Sequence, residues 1–185
     1  MKKIIVAVAA MLLTTSAFAQ IDYGVKVGAN FANTTNTDDS KLKPSIYAGV
    51  FAEFTISDYL GIQPELIYSR QGSYAKEGGI KNWTRLNYLN IPVIAKIYLL
   101  EELSLDLGPQ FGFLLNAKSK TKGGGVTHTV DIKDSCKGFD VSFGMGLSYR
   151  LGNYDISGRY NLGLTKVNDF DGDKMKNSVI QIGIG

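Results

Sequence analysis

The sequence predicts an all-β fold: an eight-stranded, antiparallel up-and-down barrel of the outer-membrane type, with its apolar face in lipid. Three observations point there. Nearly every extended stretch alternates apolar residues with small or polar ones, which is the two-residue period of a strand. No stretch has the longer period of a helix that could lie over those apolar faces. The connections between stretches alternate long and short along the chain. Apolar strand faces without protein cover find it in lipid, and closing the sheet leaves no unpaired edge there.

The clearest stretch is Leu60 to Arg70. Leu60, Ile62, Pro64, Leu66 and Tyr68 share one face; Gly61, Gln63, Glu65, Ile67 and Ser69 share the other. In chain order, residues 1–19 read as a cleaved signal peptide and 20–185 as the barrel domain. Lys2 and Lys3 precede an apolar run from Ile4 to Leu13, and Ala17-Phe18-Ala19 forms a cleavage site before Gln20. The first strand spans Ile21 to Phe31, with Lys26 and Asn30 inside. A polar loop follows from Asn33 to Lys43. The second strand, Ser45 to Ile56, puts Tyr47 and Glu53 inside, and Ser57-Asp58-Tyr59 turns into the Leu60 strand.

Gln71 to Arg85 reads as a long polar loop. The fourth strand, Leu86 to Tyr98, has Tyr88, Asn90, Pro92, Ile94, Lys96 and Tyr98 inside. Pro92 within it donates no ladder hydrogen bond and is expected at a bulge. After a short turn at Leu99 to Glu102, the fifth strand, Leu103 to Leu115, puts Asp106 and Gln110 inside. Asn116 to Lys137 reads as the longest loop, with Val126 to Ile132 alternating weakly enough to extend a hairpin. The sixth strand is Phe139 to Tyr149, followed by a tight turn from Arg150 to Asn153. The seventh, Tyr154 to Leu164, has Asp155, Ser157, Arg159 and Asn161 inside. Thr165 to Asn177 is a polar loop, and Ser178 to Gly185 is the eighth strand.

Composition narrows the function. Without Lys2 and Lys3, the 20 basic residues fall to 18 against 17 acidic ones, so the mature chain is nearly neutral and offers no case for nucleic acid. No later segment is apolar for long enough to be a transmembrane helix. One cysteine, Cys136, makes no internal disulfide. The 21 glycines and 19 Tyr plus Phe residues suit a barrel wall. Tyr59, Tyr98, Tyr149 and Tyr154 lie near the short turns; Phe31, Tyr68, Phe111 and Tyr160 lie toward the other rim. Aromatic residues favour both membrane interfaces. A soluble lipocalin-like barrel is the rival fold, but it would turn its apolar face inward.

Several stretches resemble a known family: Gly49-Val50-Phe51-Ala52-Glu53-Phe54, Ile62-Gln63-Pro64-Glu65-Leu66-Ile67-Tyr68-Ser69, Leu89-Asn90-Ile91-Pro92, Gly108-Pro109-Gln110-Phe111-Gly112-Phe113-Leu114-Leu115, and Arg159-Tyr160-Asn161-Leu162-Gly163-Leu164. Together, and in this order, they are similar to the PorT-like family of small outer-membrane β-barrel proteins of Bacteroidetes-type bacteria. That resemblance implies an outer-membrane barrel, inserted by the barrel assembly machinery. It implies no shared activity and no catalytic residues. Such chains usually close on an aromatic residue after a Gly-x-Gly stretch; here Gly183-Ile184-Gly185 stands in that place.

The inward face collects Lys26, Lys96 and Arg159 against Glu53, Glu65, Asp106 and Asp155. An eight-stranded barrel is just wide enough for side chains to fill it, and buried charges must be paired. A lumen charge network is therefore expected in place of an open path. Glu53 with Glu65 could also be read as a carboxylate pair, though nearby cations argue for neutralisation. His128 sits in a loop without a triad motif, Cys136 lacks zinc-ligand spacing, and Gly123-Gly124-Gly125 is not followed by a phosphate-loop Lys. No catalytic, metal or cofactor site is expected. Lys118, Lys120, Lys122, Lys133 and Lys137 make the longest loop basic, which suits anionic lipopolysaccharide as well as plain solvation.

The sequence thus favours a monomeric, non-enzymatic integral protein of the bacterial outer membrane, both termini periplasmic, in contact with lipid and lipopolysaccharide. Its role would be structural or one of surface interaction through loops around Trp83 and His128. A small channel or transport component is the alternative, and a barrel enzyme the third.

Overall fold

The computed structural model describes residues 20–34, 43–71, 74–77, 80–123, 126–133, 137–165 and 177–185. The expected leader with Ala19, the glycines at 124 and 125, and Cys136 lie outside them. Every regular element among the described residues is a strand: β1 (Gln20–Thr34), β2 (Lys43–Ser57), β3 (Leu60–Gln71), β4 (Tyr74–Glu77), β5 (Ile80–Tyr98), β6 (Leu103–Gly123), β7 (Val126–Asp131), β8 (Phe139–Leu151), β9 (Tyr154–Gly163) and β10 (Asn177–Ile184).

All pairings are antiparallel. β1 pairs with β2 and β10, and β5 joins β3 to β6, so β1, β2, β3, β5, β6, β8, β9 and β10 close into a ring of eight. β4 and β7 each pair with one neighbour only, β5 and β6 respectively. Short turns join β2 to β3, β5 to β6, and β8 to β9. In the last of these, Gly152 takes φ = 60°, a left-handed conformation that glycine adopts without steric cost. Ile21, Gly152, Asn153 and Gly185 line one depression, so both ends of the described barrel lie at the short-turn end.

The barrel is inside out relative to a soluble protein. Among the described residues, nineteen buried side chains are polar or charged and ten, Pro92 included, are apolar, while Val25, Ile46, Val50 and Leu147 are at least half exposed on the outer wall. A lipocalin-like arrangement would reverse this. An apolar belt of this extent is untenable in water and is the lipid-facing surface of a membrane barrel.

Three expectations need correction. Gln71 to Arg85 is not all loop, since it holds β4 and the start of β5. Asn116 to Lys137 holds the last residues of β6 and all of β7, so the expected hairpin extension is longer than Val126 to Ile132. Polar composition suggested loops, but Thr and Ser at alternate positions (Thr84, Ser119, Thr121, Thr127, Thr129) sustain a solvated ladder as well. Pro92 is not at a bulge. The β3–β5 register is the same on either side of it (Pro64↔Val93 and Ile67↔Asn90), and the ladder only skips the pairs that its missing N–H would serve. Register shifts lie elsewhere: one falls between Thr55 and Ser57 on β2, and in the other Asn87 pairs with Asn116 and Tyr88 with Leu114, leaving Leu115 as the extra residue on β6.

Candidate functional site

Strand alternation aims one side chain in two into the lumen, and the charged ones meet there in two clusters. In the first, Glu65 on β3 is the hub. Arg159 on β9 donates to both of its oxygens, Nη1 to Oε2 at 3.0 Å and Nη2 to Oε1 at 2.9 Å. Lys26 Nζ on β1 donates to Oε1 at 3.1 Å and Gln63 Nε2 at 2.6 Å. Arg159 Nη2 also lies 3.8 Å from Asp106 Oδ2 on β6, whose two oxygens accept from Ser104 Oγ at 3.0 Å and Ser148 Oγ at 2.6 Å. The second cluster surrounds Lys96 on β5, which donates to Asp155 Oδ2 at 2.9 Å and lies 3.5 Å from Glu53 Oε2. Glu53 Oε1 accepts from Tyr98 Oη at 2.7 Å and from Arg150 Nη2 at 2.5 Å, and Arg150 Nη1 lies 3.5 Å from Asp22 Oδ2.

Between the charges and the long-loop end lies a layer of amides. Asn30 Nδ2 donates to Ser69 Oγ at 2.9 Å, Gln181 Nε2 to Asn30 Oδ1 at 2.9 Å, and Asn161 Nδ2 to Gln181 Oε1 at 2.7 Å. At the long-loop end, inward-facing Leu86, Tyr88, Leu114 and Ala117 form an apolar cluster with Ile132 packed against it. The bulge at Leu115 makes this cluster possible, because it lets Leu114 and Ala117, three residues apart, both face inward.

Within each cluster the cations and carboxylates pair with one another. A buried ion costs several kcal/mol unless paired and hydrogen-bonded, and here Glu65 draws partners from β9, β1 and its own β3, and Lys96 from β9 and β2. Cross-links of this kind brace the wall and occupy the space a solute would need. Glu53 and Glu65 fall in different clusters, each held by its own cations, so they form no acid–base pair.

All seven charges expected in the lumen, Lys26, Glu53, Glu65, Lys96, Asp106, Asp155 and Arg159, lie inside with little exposure. Tyr98, expected on the inward face, joins them through Glu53, and two further members were overlooked in the sequence: Asp22 and Arg150. Parity could have found them. Arg150 continues the even-numbered inward row of Ser142 to Ser148, and Asp22 the row of Gly24 and Lys26. His128 sits exposed on β7, in register with Thr121. Lys118, Lys120 and Lys122 are not in a loop but on β6, whereas Lys133 and Lys137 lie apart from that strand.

No curated protein matches this chain. Among solved structures it is similar to Ail, the attachment invasion locus protein of Yersinia pestis, with 16% identity, 88% of this chain and 95% of that chain covered, and a TM-score of 0.53. It is also similar to Ail in complex with the heparin analogue sucrose octasulfate, with 18% identity, the same coverage of 88% and 95%, and a TM-score of 0.51. Neisserial surface protein A is covered to 97%, and this chain to 89%, with 14% identity and a TM-score of 0.49. At these identities the likeness to the two Ail structures speaks for the fold. The model of the outer membrane protein beta-barrel domain matches residues 18–169, most of the chain. This chain, an inside-out closed barrel with a charged lumen, therefore belongs to the outer membrane protein beta-barrel domain family.

Proposed function

We propose that this protein is a monomeric barrel of the PorT-like type whose lumen is plugged, acting as a structural or surface-interaction element of the outer membrane. Both termini and the short turns face the periplasm, and the long-loop end faces outward with Trp83 and His128. The observation that carries this reading is the cross-lumen network at Glu65, with Arg159, Lys26 and Gln63 all bonded to one carboxylate under a layer of amides. Passage of a solute would have to break several of these charge-assisted bonds at once.

The expected partners are the surrounding lipid and lipopolysaccharide, with the barrel assembly machinery acting on the chain during insertion. The signal peptide at residues 1–19 is part of the same reading. No catalytic role is assigned. Glu53, Glu65, Asp106 and Asp155 each lie within 4 Å of a lumen cation, and His128 stands exposed on β7.

The test is a planar-bilayer recording of the refolded mature chain, with circular dichroism confirming strand content in detergent. Silence with the strand signal intact supports the plug. Steady conductance altered by Lys96→Ala would make the second reading, a small channel or transport component, the correct one.

A further inference from the structure

We propose that the outer surface of the β5–β6–β7 extension is a binding site for the phosphate-bearing headgroup of lipopolysaccharide. This rests on the reading of the long-loop end as outward-facing. It deepens that reading by naming the site and the residues that make it.

The argument begins at the bulge. On β6 below it, even-numbered residues face the lumen: Ser104, Asp106, Gly108, Gln110, Gly112 and Leu114. Were the alternation unbroken, Lys118, Lys120 and Lys122 would follow them inside. One extra residue in a two-residue period reverses every side chain beyond it. Leu115 is that residue, so Ala117 is fully buried and the three lysines are exposed on the outer wall.

On β5, Arg85 pairs directly with Lys118, Trp83 with Lys120, and the backbone of Lys81 with that of Lys122. Trp83, Arg85, Lys118, Lys120, Lys122 and Thr129 line a shallow depression of ≈ 430 Å³. Among the described residues, Arg85 and these three lysines take part in no ion pair, and Asp131, opposite Lys118, is the acidic neighbour in the ladder. Like charges set side by side on a sheet repel, so the cluster is unfavourable without a counter-charge.

The position selects the ligand. Directly below the cations, on the same face, the apolar belt begins with Leu89, Ile91, Phe111, Phe113 and Leu115. Phe113 packs on Phe139 of β8 with ring centroids 5.4 Å apart. A ligand lying across this boundary needs acyl chains against the belt and anionic groups against Arg85 and the lysines. Tryptophan at that level is suited to the same interface, and cations beside a membrane attract anionic headgroups. A soluble polyanion would use the charges but leave the belt unmatched. An outer-leaflet glycolipid with phosphates uses both.

Trp83 is the chain's one tryptophan, so its emission reports on the site directly. The experiment titrates the refolded mature barrel in neutral detergent with purified lipopolysaccharide, with the same lipopolysaccharide after enzymatic dephosphorylation, and with inorganic phosphate. Lipopolysaccharide is expected to shift Trp83 emission saturably. The dephosphorylated form should bind at least about tenfold more weakly, and a Lys118→Gln, Lys120→Gln, Lys122→Gln variant should bind intact lipopolysaccharide at least about tenfold more weakly than the wild type does, each removed cation near the surface costing severalfold. Lys133→Gln, away from the depression, should match the wild type.

Equal binding of dephosphorylated lipopolysaccharide would overturn the proposal without any variant. An identical shift with inorganic phosphate alone would assign the site to free phosphate and overturn it as well. Strand content by circular dichroism guards against a misfolded triple variant. The outcome is separable from the plug reading: a conducting barrel that still binds through these lysines keeps the site, and a silent barrel that does not bind loses it.

Discussion

Arg159 and Glu65 are 94 residues apart in sequence, yet the guanidinium of one meets the carboxylate of the other in a two-pronged contact across the lumen, at 3.0 and 2.9 Å. Lys26 adds a second cation at 3.1 Å, and Asp106, 3.8 Å from Arg159, supplies the second negative charge. This contact ties β9, β3 and β1 together through the middle of the barrel. Its worth is best measured by breaking it. Glu65→Ala leaves two buried cations without their shared partner and is expected to lower stability by about 3–5 kcal/mol. Replacing all three with apolar residues of similar size (Glu65→Leu, Arg159→Met, Lys26→Met) should recover part of that loss, the remainder reflecting Asp106 left without Arg159. Urea unfolding of the barrel in detergent, followed by gel mobility, measures both. Equal loss in the single and triple variants would show that packing, not charge, matters here.

Arg150 holds Glu53 at the mouth of the barrel, but its side chain is 38% exposed. Water can take over part of its role. Arg150→Ala should therefore cost about 1–3 kcal/mol, less than Glu65→Ala, because Tyr98 and Lys96 still hold Glu53. The same unfolding assay ranks the two.

Met145 lies near the middle of β8 on the outer wall and is 43% exposed. If that wall faces lipid, Met145→Lys should destabilise the barrel in bilayers by about 2–4 kcal/mol, as cations do near the bilayer midplane. On a water-facing wall the same change would be nearly neutral. Refolding titrations in phospholipid vesicles decide between these.

Two glycines separate close packing from open space. A Cβ on Gly183 would fall onto the Tyr47 hydroxyl and the Val27 carbonyl, whereas one on Gly158 meets nothing within 4 Å. Gly183→Ala is expected to cost about 1–3 kcal/mol through overpacking. Gly158→Ala should be close to neutral. Thermal gel-shift midpoints of the two variants provide the comparison.

Deleting Leu115 removes the bulge and sets alternation against the ladder. Ala117 would turn outward and Lys118, Lys120 and Lys122 inward, or the pairing above the bulge would be lost. The expected result is fast amide hydrogen exchange across 116–123 and β7, with protection kept below Leu114. Unchanged protection throughout would mean that the bulge does not set the register.

What the sequence by itself determined is which face the residues of an unbroken strand take. The two-residue period sorts Lys26, Glu53, Glu65, Lys96, Asp106, Asp155 and Arg159 inward, and the apolar rows outward, without knowledge of any neighbour. The alternation of turn lengths likewise orders the eight strands around the ring. Only the tertiary structure decided which inward residues share a level. That depends on the stagger between strands, which adds up around the closed barrel, and no single segment records it. So the seven charges were legible as a group, while the division into a Glu65 cluster and a Lys96 cluster was not. The bulge was hidden for a related reason. It exists only as a mismatch between Asn87↔Asn116 and Tyr88↔Leu114, a relation between two strands, whereas Pro92 carried the local mark of a bulge and has none. From that one extra residue follows the side of the wall on which three lysines stand.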